Sequence, residues 1–498
     1  MRRRRTAVRA TALAALVGLA GAAMAAPAAA QERERGPVPS AAGPAWGPCP
    51  ADVVAPLVDL RCAPVTVPLD HREPGGEQIQ IMVSRAASPK PEKRRGVLML
   101  NQGGPGGSGL AFVNDLVKRG LPANVQESYD IIGFDTRGVG HSAPVSCGFT
   151  TDQDYTGNIP PYAADDAAVS EQAAIAKDVA QRCAAHDRNG HLRHVSTANV
   201  ARDMDRIRAA LGEEKISFLG FSYGSALGAA YASLFPGRTD RVVLDSNVGD
   251  THLDQGGIRR YGLGAEETFG DFARWAADRH GTYGLGATPE AVRATYFSLA
   301  ARLDETPSAG IDGRVFRLAT FAGLYGPTLY GVTAATWQSL LTGGTAPAPV
   351  PPPGPSPSDT MFSAFIATTC NDVAWPRDVE SYRRAVAQDR ERYPVFGAAA
   401  ANVLPCAFWP HPPAEPPVAV SGEGPANVLI VQNRHDPVTP LRGGQLLDEK
   451  FGDRSRLLVE NGSGHGVYVG VGDSACALDT TTAFLVGGPL PPGDVTCG

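Results

Sequence analysis

The sequence predicts an α/β protein: a mostly parallel sheet flanked by helices, with a large helical insertion before the last core strands. Three observations predict it. Short apolar runs alternate with helix-patterned stretches from Val65 to Asn247. The alternation stops near Gly249 and resumes only after residue 420. Several of the runs are apolar at nearly every position, as parallel strands covered on both faces must be.

The elements follow in order. "APVTVPLDH" and "QIQIMVSRA" alternate faces and read as strands with one polar side. "RRGVLMLNQGGPGGSG" is a continuous apolar strand that breaks into glycines, and "YDIIGFDTRGVGHS" is another that ends in a glycine turn. "TANVARDMDRIRAALG" carries the helical period. Val200, Met204, Ile207 and Leu211 fall on one face, Thr197 is placed to cap it and Gly212 to end it. "KISFLGFSYG" is a strand, "SALGAAYASLFP" a helix stopped by Pro236, and "DRVVLDSN" the next strand. Residues 250–420 are helical stretches interrupted by the proline-rich run 343–359, which reads as an exposed extended loop. "ANVLIVQNRHDPVTP" and "RLLVENGSGHGVYV" restore the strand pattern. The expected organisation is therefore a core over 31–249, a helical lid over 250–420 and a second core segment over 421–498.

The first thirty residues stand apart. Arg2 to Arg5 and Arg9 precede an apolar, alanine-rich stretch with small-residue cleavage sites at Ala25 or Ala30. This is the pattern of a signal peptide, 1–30, and it implies a secreted, extracellular protein. Its removal takes away five arginines and no acid, leaving a net charge of −11 instead of −6. A mildly acidic chain without a basic stripe argues against nucleic acid as a partner, and the short leader argues against stable membrane insertion. The eight cysteines include no C-x-x-C pair, which disfavours zinc. In an exported chain an even count suggests disulfides. Pairing of neighbours in sequence is favoured because each pair closes a short loop: Cys49–Cys62, Cys147–Cys183, Cys370–Cys406 and Cys476–Cys497. Buried free thiols are the alternative.

The chemistry centres on Gly220-Phe221-Ser222-Tyr223-Gly224. With 57 glycines in the chain, G-x-S-x-G alone decides nothing. Here, however, it lies where an apolar strand meets a small-residue helix, which is the setting of a nucleophile elbow in an α/β-hydrolase fold. A serine hydroxyl needs a base, and the base needs an acid to orient it. In that fold the acid and the histidine follow the serine, each after a late strand; Asp436 and His465 satisfy this order. Asp245, at the end of the strand after the elbow, is a competing acid, and His435 and His141 lie close to these motifs. The oxyanion hole is assigned to the backbone N–H groups of Tyr223, the residue after the nucleophile, and of Gly104 in "NQGGPGGSG". That glycine run lacks the Lys-Ser/Thr of a phosphate loop. No metal or organic cofactor is implied, and activity is expected to fall in acid as His465 protonates.

Taken in order, "NQGGPGGSG", "FDTRGVGHS", "GFSYGS", "NRHDPVTP" and "GSGHG" resemble the prolyl-iminopeptidase-like α/β hydrolases, and more closely the secreted bacterial tripeptidyl aminopeptidases. The resemblance spans essentially the whole mature chain. It implies a serine peptidase that cuts short peptides from free N-termini through an acyl-enzyme beneath a helical lid. Gln102 stands where the iminopeptidases carry histidine, a departure that argues against specificity for a single N-terminal proline. Recognition of a protonated α-amine calls for carboxylates near the site. Asp372 is the first candidate and Glu266 and Glu267 the next. A secreted carboxylic-ester hydrolase with the same machinery is the alternative activity, and a non-catalytic binding protein on this fold is the third reading.

Overall fold

The computed structural model describes residues 43–498, except 154, 156, 188, 309, 344–353 and 471–473. The expected signal peptide, 1–30, and most of the proline-rich run 343–359 lie outside the described residues.

Ten strands form one sheet: β1 (Gly47–Pro48), β2 (Leu60–Pro68), β3 (Gln78–Ala86), β4 (Gly96–Asn101), β5 (Tyr129–Phe134), β6 (Ile216–Phe221), β7 (Thr239–Asp245), β8 (Val428–His435), β9 (Ser455–Ser463) and β10 (Val495–Cys497). Their spatial order is β1-β2-β3-β5-β4-β6-β7-β8-β9-β10. The pairings from β1 to β2, β2 to β3 and β3 to β5 are antiparallel, and every later pairing is parallel. The strand boundaries follow the apolar runs closely; β3 coincides with "QIQIMVSRA".

The near-continuous apolar strands have a simple cause. Successive side chains of a strand point to opposite faces. In β4, Val97 and Met99 enter one core while Leu98 and Leu100 enter a second on the other side. The same split divides Phe218 from Leu219 in β6 and Val428 and Ile430 from Leu429 and Val431 in β8. Helices Thr197–Ala210 and Tyr223–Leu234 cover the first face, and Phe112–Lys118 and Ala475–Leu485 the second. Between β7 and β8 the described residues form helices and loops, from Gln255–Ala277 to Gly397–Ala400, with no strand of the sheet among them.

One expectation is corrected. Ser196, not Thr197, caps the helix Thr197–Ala210, accepting from the Asn199 N–H. Thr197 is the first helical residue, and its hydroxyl is engaged by Asp372.

Four disulfides join Cys49–Cys62, Cys147–Cys183, Cys370–Cys406 and Cys476–Cys497. A buried ion pair adds a second kind of fastening. Arg137, 1% exposed, donates to both oxygens of Asp203 at 2.7 and 2.6 Å and to the carbonyls of Pro68, Leu69 and His194. His71 meets the same carboxylate at 2.8 Å. Removing Arg137 would leave the buried Asp203 carboxylate with His71 as its remaining hydrogen-bond partner among the described residues, and breaking such a buried pair is costly. Arg137→Ala is therefore expected to destabilise the protein by about 3–5 kcal/mol, read from urea unfolding.

Candidate active site

Because β4, β6, β7, β8 and β9 are parallel, the loops leaving their C-terminal ends gather on one edge of the sheet. Those loops carry the glycine run, Ser222, Asp436 and His465, and Asp245 is the last residue of β7 on the same edge.

Ser222 sits between β6 and the helix Tyr223–Leu234 with φ 57° and ψ −123°. This region is unfavourable for a residue with a side chain, at a cost of about 1–3 kcal/mol. The flanking glycines make the turn possible. A Cβ on Gly220 would stand 2.4 Å from the Gly224 carbonyl oxygen, and one on Gly224 would stand 2.6 Å from that of Asn101. The Ser222 N–H donates to the Asp245 carbonyl at 2.9 Å, pinning the turn to the neighbouring strand.

The His465 Nδ1 lies 2.9 and 3.1 Å from the two Asp436 oxygens. A carboxylate can only accept, so Nδ1 carries the proton and Nε2 keeps its lone pair. Asp436 is fully buried and held by the N–H groups of Val438 and Thr439 and by the Thr439 hydroxyl, at 2.8 to 2.9 Å. The Tyr325 carbonyl accepts from the His465 N–H at 2.8 Å, and its ring meets the imidazole edge-on, with centroids 5.5 Å apart.

Asp245, the competing acid, has another task. Its carboxylate accepts from the N–H groups of Val467 and Tyr468, at 3.0 and 2.7 Å, and from the Ser246 hydroxyl. The Ser246 hydroxyl oxygen in turn accepts from the Gly466 N–H at 2.8 Å. One residue thus binds the serine turn through its carbonyl and the histidine loop through its carboxylate. Burial raises the Asp245 pKa to about 6, against the pull of these donors.

The glycine run lies against the same turn. A Cβ on Gly103 would be 2.5 Å from the Phe221 carbonyl oxygen and 2.8 Å from the Ser222 Cβ. The Gly103 N–H is committed to Asn101 Oδ1 at 3.0 Å. Among the described residues no acceptor meets the next amide, that of Gly104, while the Tyr223 amide opens a helix and has no intrahelical acceptor. The far end of the run is tied down by Asp135, which accepts from Ser108, Gly109 and the His141 N–H. Gln102 packs its amide beneath Gly107 and Gly109.

The carboxylates expected to meet a substrate amine fall in different places. Asp372 is 6% exposed and gives both oxygens to Thr197, so it faces the start of a core helix. Glu266 pairs with Arg293 and accepts from the Val395 N–H at 3.2 Å. Glu267 makes no hydrogen bond or ion pair among the described residues, and partial desolvation raises its pKa. It lies one turn from Gly264, whose Cα packs so closely on the acid loop that a Cβ would stand 2.4 Å from the Asp436 carbonyl oxygen. His435, next to Asp436, bonds Asp271 of the same helix, Gln255–Ala277, at 2.7 Å.

Residues 96–470 match the model of a family described as alpha/beta hydrolase fold. The chain is an α/β hydrolase. This α/β hydrolase is 35% identical to a protein named tripeptidyl aminopeptidase from Streptomyces lividans, over 92% of its own length and 87% of the relative's. It is 32% identical to the serine protease Hip1 of Mycobacterium tuberculosis, over 91% of this chain and 90% of that one. A third relative, carboxylesterase B of Mycobacterium tuberculosis, is 29% identical over 91% and 89%. The first two relationships put the chain among the serine peptidases of the α/β-hydrolase family.

The electrostatics predict a pH profile. Burial disfavours a charged imidazole, but the Asp436 carboxylate, with Asp245 behind it, outweighs burial and raises the His465 pKa. An imidazole must be neutral to take a proton from serine. Activity is therefore expected to fall as pH drops through a single ionisation above the ordinary histidine value of about 6.5, measured as kcat/KM against pH.

Proposed function

We propose that this serine hydrolase is an exported exopeptidase that releases short peptides, chiefly tripeptides, from free N-termini through an acyl-enzyme. The observation that carries the reading is the strained Ser222 turn, joined through Asp245 and Ser246 to the loop whose His465 bonds Asp436. The names of the two peptidase relatives supply the substrate class.

In this mechanism His465 Nε2 takes the Ser222 proton as the oxygen attacks the scissile carbonyl. The Gly104 and Tyr223 amides hold the oxyanion, Asp436 steadies the imidazolium, and the amine leaves with the proton that His465 returns. Water, activated by the same histidine, then releases the acyl group. Glu267 is the favoured carboxylate for the substrate amine, because it alone of the three candidates has no hydrogen-bond or ion-pair partner among the described residues. Export is supported by the leader sequence and the four disulfides. No helix among the described residues is long and apolar enough to cross a membrane.

Turnover of a tripeptide amide with a free N-terminus is expected to exceed that of the same compound with a blocked one. Mass spectrometry of products from a native peptide library should show tripeptides. Preference for blocked peptides would overturn the exopeptidase assignment. Preference for simple esters would favour a carboxylic-ester hydrolase, the second reading, which the carboxylesterase B relative supports.

A further inference from the structure

Asp372 is a buried acid that the mechanism above leaves unused. It ends the lid helix Asp359–Asp372, two residues after the half-cystine Cys370. Its neighbour Asn371 donates to the carbonyls of Leu192 and Val195 at 2.7 and 2.9 Å and accepts from the Trp409 indole N–H at 2.8 Å. The end of this helix is thereby fixed to the segment that leads into Thr197. Asp372 itself accepts from the Thr197 N–H at 2.7 Å and from its hydroxyl at 2.5 Å. The Thr197 hydroxyl oxygen lies 2.8 Å from the phenol oxygen of Tyr223, which is 3% exposed.

The proton count gives the chain a direction. Thr197 has one hydroxyl proton, and it is donated in a hydrogen bond to the ionised Asp372 carboxylate, which can only accept. The Thr197 oxygen is then free to accept from the Tyr223 phenol, and every group is satisfied. Burying a carboxylate is costly without donors. Burial pushes the Asp372 pKa up to about 7; the Thr197 bonds oppose this, and Glu415 adds to it. Arg193, His252 and Glu415 line the small cavity beside it.

What this chain holds in place is a residue at the chemistry. Tyr223 opens the helix after Ser222, so its amide has no intrahelical acceptor; the peptide plane that carries it is held on one side, where the Ser222 carbonyl accepts from the Ser225 N–H at 2.8 Å and hydroxyl at 2.6 Å, and on the other by the Tyr223 side chain. We propose that Asp372 is a positioning residue for the oxyanion hole: acting through the Thr197 hydroxyl, it fixes the Tyr223 ring and so the backbone N–H that receives the oxyanion. This rests on the acyl-transfer reading above. It makes the end of a lid helix part of the support for the hole.

The test compares four variants with the wild type. The readouts are kcat and KM for a tripeptide amide, the rate of fluorophosphonate reaction at Ser222, and Tm. Thr197→Val and Tyr223→Phe each break the chain by removing a hydroxyl, and Thr197→Ser keeps it. Deleting an oxyanion donor outright costs about 10²–10³ in kcat, so loosening one is expected to cost about tenfold. KM should stay within about twofold, because only the transition state is affected. Thr197→Ser should retain the wild-type rate. The double variant Thr197→Val/Tyr223→Phe should be no slower than either single one, since both cut the same link. Unchanged kcat in Tyr223→Phe, losses that multiply in the double variant, or failure of Thr197→Ser to retain the rate would overturn the proposal. Should Thr197→Val fail to fold, Tyr223→Phe, which lacks only one oxygen, decides. A wild type whose Ser222 does not react overturns the acyl-transfer reading and this proposal with it. A reactive wild type with unaltered variants overturns this proposal alone.

Discussion

Ser222→Ala is expected to lower kcat about 10⁶-fold and to abolish fluorophosphonate labelling, while leaving Tm nearly unchanged. On a scale of about 1.4 kcal/mol per tenfold, that is about 8 kcal/mol of transition-state stabilisation. The reason for so large an effect is that nucleophile, base and acid act as a unit. Without the oxygen, His465 has no proton to take and Asp436 no imidazolium to steady. The stability should hardly move, because the Ser222 side chain caps nothing and its backbone bond to Asp245 does not depend on the hydroxyl. A variant that retained more than about a thousandth of the activity would mean that another residue carries the acyl group.

The elements that position this serine were legible in the sequence, because each has a local cause. Strands buried on both faces must be apolar throughout, and the turn after β6 needs glycine on both sides, Gly220 to clear the Gly224 carbonyl and Gly224 to clear Asn101. The order of Asp436 and His465 after their strands was readable for the same reason. Other features were not, because their causes lie far off in the chain. Thr197 looks like a helix cap until Asp372, at the end of the helix Asp359–Asp372, claims its hydroxyl. Asp372 looks like a free acid beside a cysteine until Thr197 is seen across from it. Tyr325, just after the helix Gly313–Gly323, packs on His465 with no signal in its own neighbourhood. Thr439 was the one missed residue with a local sign, as a hydroxyl three positions after the acid in a tight turn can bond back to it. The edge strands β1 and β10, of two and three residues, are too short to show a period.

Asp436 and Asp245 are both buried carboxylates on the same sheet edge, and their asparagine variants should separate their roles. Asp436→Asn is expected to lower kcat about 10⁴-fold, since the amide favours the wrong imidazole tautomer and cannot steady the cation. The acidic limb of the residual activity should also move to lower pH, because the carboxylate that raises the His465 pKa is gone while burial, which lowers it, remains. Asp245→Asn should behave differently. Asp245 touches the loop backbone at Val467 and Tyr468 but not the imidazole, so its loss should act through placement. An amide offers one accepting oxygen where three donors converge, leaving a buried donor unpaired at about 1–3 kcal/mol. That variant should therefore lose stability in urea, lose activity by about 10–100-fold and show a smaller displacement of the acidic limb, Asp245 being the weaker influence on His465. The reverse ranking, with Asp245→Asn the slower enzyme and Asp436→Asn the less stable protein, would make Asp245 the acid and Asp436 the anchor.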